Sequence, residues 1–322
     1  MKKIIVTLGP ASLGEDGLKI AHKNNYIYRI NGAHSDGPRI ENIVRLLREK
    51  IENPEILVDL PGNKIRTANL GESITVKKDK KFVLNTFNTN YPGFVEHLNK
   101  DQIVYADDST LSFKVLSYDS NQITFSSYSD GELKNGKGLH IRGIHADIPF
   151  LFEKDIELIN VANKQKISYI GLSFVRDCRD IDLATEKIDK NISIIPKVET
   201  LSAVQNINKI LGKVDHILID RGDLSTEVGI SKVPLFQNYI IKKTQFFNKE
   251  VYLATQFLKN MEKSPLPTIA EITDLYNTLK NGVKGIQLSE ETAVGEYPQK
   301  CLSIINQLIT EISEENINNQ SL

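Results

Sequence analysis

The chain has 322 residues, 40% hydrophobic and 25% charged, with a net charge of −1. That balance excludes a disordered chain and a polybasic nucleic-acid binder, and it supplies no field toward an anionic membrane. The opening MKKIIVTLGP turns polar too soon for a signal peptide, and no run approaches the ~18 apolar residues of a membrane span. The two cysteines, Cys178 and Cys301, lack metal-site spacing and form no disulfide framework. They read as free thiols in a reducing compartment. The expectation is a cytoplasmic protein with neither a nucleic-acid nor a membrane partner.

Short apolar, β-branched runs alternate with helical patterns along most of the sequence. Strands are expected at 4–8, 26–30, 56–58, 168–174, 192–198, 216–220, 251–253 and 284–288. Runs this short are buried strands of a parallel sheet rather than helices. Helices are expected at 18–24, 40–51, 153–163, 201–211, 235–247, 268–279 and 301–312, where apolar residues recur at helical spacing. A short helical turn is expected after Gly222-Asp223. Residues 68–146 differ. Alternating runs at 73–76, 82–84, 102–105, 111–115 and 122–125, punctuated by Asp, Asn, Gly and Ser, read as an inserted all-β domain. The remainder, 1–67 and 147–322, is about 243 residues, close to the ~250 of a (β/α)8 barrel. The expected fold is α/β: a TIM barrel with a small β lid.

In such a barrel the carboxyl ends of the strands face one mouth, which carries the chemistry. The polar residues at those ends are Thr7, Arg29, Asn31, Asp59, Arg66, Ser173, Lys197, Glu199, Asp223, Thr255, Ser289 and Glu291. Packing needs none of them. Arg29 and Arg66 offer forked donors to phosphate. Glu199 and Asp223 offer oxygen ligands suited to Mg²⁺. The backbone N–H at Gly222, at a helix start, suits a small carboxylate. The chemistry this set suggests is phosphoryl transfer, which needs positioning and charge neutralisation.

The motifs TLGPAS (7–12), YRINGAHS (28–35), ILVDLPGNKIRT (56–67), KGLHIRG (137–143), DIPFLFEKD (147–155), LSFVR (172–176), PKVET (196–200), DRGDLSTE (220–227), ATQFL (254–258), PLPTIAE (265–271) and LSEETAVGEYP (288–298) follow one another in that order. A chain carrying them resembles the pyruvate kinase family, from residue 4 to about 305. The resemblance implies transfer of phosphoryl from phosphoenolpyruvate to ADP, with Mg²⁺ or Mn²⁺. Arg29 then grips the transferred group and Lys197 neutralises phosphate and enolate oxygen. Glu199 and Asp223 hold the metal. Gly222, Asp223, Thr255 and Ser173 bind the acid substrate, and Thr255 relays a proton to the enolate carbon. Asn31, His34, Arg66 and Lys137 contact the nucleotide phosphates, and Asp108 is the acid the lid brings to the site. Blander readings stand beside three of these. Arg66 can cap the barrel–lid hinge, His34 can bond its own loop, and Asp108 can be a turn residue.

The sequence also departs from the family pattern. The usual K⁺-binding serine and threonine are Ala33 and Leu60, and Lys64 stands where a glutamate is common. A tethered ammonium can replace a bound monovalent cation, so activity without K⁺ is expected. Asp220 stands where a small apolar residue is usual, Glu290 replaces a glycine, Phe257 a methionine, and Leu266 and Ile269 arginines. The expectation is a barrel without the family's C-terminal regulatory domain and without the usual sugar-phosphate activation. A homo-oligomer or pathway partner stays open. The alternatives are a diverged paralogue acting on another small acid, a lyase of the wider barrel group, and a non-catalytic ligand-binding descendant.

Overall fold

A computed structural model describes residues 1–107, 110–146 and 148–320. Eight parallel strands close into a barrel: β1 (Lys3–Thr7), β2 (Tyr26–Asn31), β3 (Glu55–Asp59), β4 (Tyr169–Leu172), β5 (Ser193–Val198), β6 (His216–Asp220), β7 (Glu250–Ala254) and β8 (Gly285–Leu288). Each pairs with its sequence neighbours. β1 closes the ring on both β2 and β8, with Ile4 opposite Tyr26 and Ile286. All eight expected strands form, with ends shifted by a few residues.

The strands are buried on both faces, which is why they read as continuous apolar runs. Ile5, Ile27, Leu57, Ile195, Leu218 and Tyr252 pack together in one layer, the filled interior of a barrel. Ile4, Val6, Tyr28, Val58, Ile170 and Ile219 join the larger core with the helices. Ion pairs between Lys3 and Glu55 and between Lys284 and Glu250 stand at the amino ends of the strands, away from the mouth.

Three helix readings differ from the structure. Residues 18–24 form no helix; Leu13–Gly14 and Gly17–Leu18 pair as a tiny hairpin. Gly17 sits at φ +109, a conformation open to glycine that turns the chain before a helix can start. The helix expected at 201–211 is two, Leu201–Gln205 and Ile207–Leu211. Asn206 breaks it, because its side-chain amide donates to the Arg176 and Ser202 carbonyls. A helix at Cys178–Thr185, capped by Asp177, completes the unit after β4; its eight residues gave too short a period to read.

Between β3 and β4 the chain builds a five-stranded antiparallel sheet in the order Leu139–His140, Ile103–Ala106, Leu111–Tyr118, Gln122–Ser127, Lys81–Asn85. A second pair joins Ile74–Val76 to Gly131–Leu133. The sheet has its own core around Leu84, Phe94, Phe113 and Phe125. The strands at 131–133 and 139–140 carry too few residues for an alternation to show in sequence. Among the described residues, no helix is long and apolar enough to cross a membrane.

Candidate active site

The site is built on the carboxyl ends of the strands. Arg29, at the end of β2, is 7% exposed. Its Nε and Nη2 donate to Asp59 Oδ2 at 2.9 and 2.6 Å, and its Nη1 donates to Thr7 Oγ1 at 2.9 Å. Lys197, on β5, places Nζ 3.5 Å from Asp59 Oδ2 and 3.6 Å from Glu199 Oε2. One carboxylate of β3 therefore holds both cations. Burial pushes the Asp59 carboxyl up, but the Lys197 and Arg29 charges outweigh it and hold it below its ordinary value. Burial likewise opposes the charge on Lys197, yet Asp59, Glu199 and Asp220 raise its pKa. Gly171 makes room for this anchor, since a Cβ there would lie 2.6 Å from Asp59 Oδ1.

Glu199, Asp220 and Asp223 form a carboxylate cluster whose oxygens come within 4.8 Å of one another. Glu199 Oε1 accepts from the Phe174 N–H at 2.7 Å, while Oε2 is buried with no hydrogen-bond partner. Burial, with Asp223 and Asp220 adding to it against Lys197, pushes Glu199 up to about 8. Burial also raises Asp220. Asp223 goes the other way: burial is outweighed by Lys64, whose Nζ lies 2.6 Å from Oδ1. An oxygen-only donor set with one orphaned buried oxygen fits a hard divalent cation such as Mg²⁺ or Mn²⁺.

Asp220 caps the helix Arg221–Val228, its Oδ1 accepting from the Gly222 N–H at 3.1 Å. The same N–H lies 3.0 Å from Thr255 Oγ1. So the backbone donor expected to meet a substrate carboxylate already has an internal carboxylate on it. Thr255 sits at φ +74, sparsely populated for a β-branched residue. Arg221 holds it there: Nε and Nη2 donate to the Thr255 carbonyl at 3.1 and 2.5 Å, and Nη1 donates to Asp274. The guanidinium lies over the Phe257 ring, 4.1 Å from its centroid. Ser173 is buried and donates to the Leu60 carbonyl at 2.6 Å.

Of the remaining expected residues, Arg66 lines the cleft between barrel and β sheet. A cavity of about 660 Å³ is lined by Ala33, Lys64, Arg66, Asn90, Tyr91 and Lys154, among others. Arg66 Nη1 donates to the Gly136 carbonyl at 3.1 Å. Lys137 Nζ pairs with Asp107 at 2.6 Å. Asn31 turns its carbonyl oxygen onto the Ala33 N–H at 3.1 Å. His34 is exposed; partial burial, with the charges of Arg66, Lys154 and Arg29, keeps its imidazole below the ordinary value. Asp108 lies outside the described residues. Ser289 and Glu291 do not extend the cluster: Glu291 Oε2 accepts the Ser289 N–H at 2.7 Å and is spent capping its own turn.

The structure thus brings Arg29, Lys197, Glu199, Asp223, Gly222, Thr255 and Lys64 together. Three residues do more in the structure than the sequence reading assigned to them. Asp59 is the hub of the cations rather than one more strand-end residue. Asp220 is a third carboxylate in the cluster. Arg221 braces the Thr255 turn. The signal for the last two was their place in DRGDLSTE, directly beside the expected residues.

A parallel barrel whose mouth holds buried cations beside clustered carboxylates has the groups to hold an anion and a divalent ion side by side. The family model described as pyruvate kinase, barrel domain, matches residues 1–302. Pyruvate kinases of Geobacillus stearothermophilus (32% identity over 95% of this chain and 56% of that protein) and Thermococcus litoralis (33% over 97% and 70%) are similar along nearly its whole length. So is that of Thermotoga maritima, at 29% identity over 97% of this chain and 71% of that protein. The chain belongs to the pyruvate kinase family. It spans about 56% of the length of the Geobacillus relative.

Proposed function

We propose that this chain transfers the phosphoryl group of phosphoenolpyruvate to ADP, giving pyruvate and ATP. The observation that carries the reading is the Arg29–Asp59–Lys197 unit, two buried cations on one carboxylate beside Glu199 and Asp223. Three of the five Arg29 N–H donors are used by Asp59 and Thr7; the two left are available to phosphoryl oxygens. Lys197 stays charged and neutralises the enolate oxygen as the phosphoryl group leaves. Glu199 and Asp223 would hold Mg²⁺ or Mn²⁺, which supplies charge neutralisation at the phosphate and enolate oxygens. The Thr255 hydroxyl, which donates to the Ala254 carbonyl at 2.7 Å, would turn from it to pass a proton to the enolate carbon.

The cleft lined by Arg66, Lys154 and Tyr91 takes the nucleotide, with Asn31, His34 and Lys137 as further phosphate contacts and Asp108, by the family resemblance, as the acid the lid contributes. The inserted sheet, 68–146, acts as that lid and excludes water during transfer. Lys64 takes the place of a monovalent cation, because its ammonium already lies in the carboxylate cluster. A cytoplasmic location goes with this reading. The test is Lys197→Met assayed for ATP formation. A loss of at least roughly a hundredfold in kcat, with the ADP KM little changed, is expected of a group acting on the transition state. Full activity in the variant would refute its role.

One observation favours a second reading, a paralogue for another small acid. Asp220 Oδ1 occupies the Gly222 N–H that a substrate carboxylate would use. A chain stabilised by ADP and Mg²⁺ but inert toward phosphoenolpyruvate would decide for it.

A further inference from the structure

Behind the carboxylate cluster lies a second group of ligand-type side chains that phosphoryl transfer does not use. His140 ends the last strand of the inserted sheet, and His145 stands in the 3-10 turn Ile144–Ala146 on the return to the barrel. Glu227 belongs to the barrel helix Arg221–Val228, one turn beyond Asp223. All three are nine-tenths or more buried, at 5, 4 and 8% exposure. A ligand atom of each lies within 4.8 Å of the other two. His140 Nε2 is 3.0 Å from Glu227 Oε1, near the ~3.3 Å edge of a tetrahedron with metal bonds of about 2.0–2.1 Å.

The hydrogen bonding around them is that of ligands rather than of a finished network. His145 Nδ1 faces Asn63 Oδ1 at 3.1 Å, which fixes the ring and leaves Nε2 buried without a hydrogen-bond partner. A second-sphere amide that orients the far nitrogen is how imidazole ligands are usually held. Neither ring nitrogen of His140 has a well-aligned hydrogen bond. Glu227 is steadied from outside the group, by the Gly143 N–H on Oε1 at 3.4 Å and the Leu201 N–H on Oε2 at 3.3 Å.

We propose that His140, His145 and Glu227 form a second metal site, for an imidazole-preferring dication of the zinc type, clipping the return of the inserted sheet to the barrel. Two imidazoles and a carboxylate are a zinc-type donor set with one position open to water, and a poor one for Mg²⁺. The site does not depend on the proposed phosphoryl transfer.

The experiment is a calorimetric titration of the metal-free full chain with Zn²⁺ under saturating Mg²⁺, which occupies the oxygen-only cluster. One zinc per chain is expected, and Co²⁺ in its place should give the intense visible absorption of a low-coordinate site. His140→Ala and His145→Ala should each lower zinc affinity by at least ~100-fold, and Asn63→Ala by about tenfold. Glu199→Gln should leave it unchanged. Failure of the wild-type chain to bind zinc under Mg²⁺, or equal binding by both histidine variants, would overturn the site. Should the alanine variants not fold, the wild-type titration and cobalt spectrum decide by themselves.

Discussion

At the residue scale, the site turns on how Asp59 and Asp220 are partnered. Asp59 is 3% exposed and faces two cations. Asp59→Asn leaves both under-compensated in the interior, and a loss of about 3–5 kcal/mol of stability is expected, read by urea unfolding. The pH dependence follows from its lowered pKa. A carboxyl lowered on folding stabilises fully above its unfolded value of about 3.9, and loses that contribution as pH falls through the folded value. Asp59→Asn should therefore flatten the acid limb of the melting-temperature profile, and an unchanged limb would remove Asp59 from the account. Asp220 places negative charge both in the metal cluster and on the Gly222 N–H. Asp220→Asn should weaken Mn²⁺ binding about tenfold and lower the KM for phosphoenolpyruvate by a similar factor, ~1.4 kcal/mol each. Opposite movement of both constants would contradict the placement.

At the scale of the element, the turn after β7 shows how a strained backbone is held. Thr255 at φ +74 is kept there by the Arg221 fork on its carbonyl and by the Phe257 ring beneath that fork. Arg221→Ala should cost about 1.5–3 kcal/mol for a charged hydrogen bond, and lower kcat/KM for the acid substrate by roughly tenfold. Arg221→Lys should not rescue it, because an ammonium lacks the fork; rescue would show that charge alone suffices. The elements were legible where period and burial agree. Ile4, Ile5 and Val6 announce β1, and the same holds around the ring. Legibility failed where a single side chain overrides the local pattern. Gly17 turns residues 13–18 into a hairpin, and the Asn206 amide splits a helix that its apolar spacing makes continuous. The strand-end rule placed Arg29, Lys197 and Asp223 at one mouth. It could not show that the Gly222 N–H is shared by Asp220 and Thr255, because pairing across strands leaves no trace in spacing.

At the scale of the whole molecule, the barrel helix Arg221–Val228 ties barrel and inserted sheet together. Lys64, on the outgoing connection, reaches Asp223 at 2.6 Å, and His140, on the returning one, reaches Glu227 at 3.0 Å; both acids belong to one barrel helix. A cation carried by the chain in this position is the basis of the proposed independence from K⁺. Lys64→Glu should make turnover depend on added K⁺, whereas a variant equally active in both media would separate Lys64 from the cation requirement. The most direct test of the account is the rate of pyruvate formation by the unmodified chain, from phosphoenolpyruvate and ADP with Mg²⁺, in a buffer whose only monovalent cation is tetramethylammonium. Turnover above about 1 s⁻¹, within the ordinary range of enzymes, and unchanged when K⁺ replaces tetramethylammonium at constant ionic strength, is the predicted result. No pyruvate in either buffer, or a severalfold rise with K⁺, would contradict it.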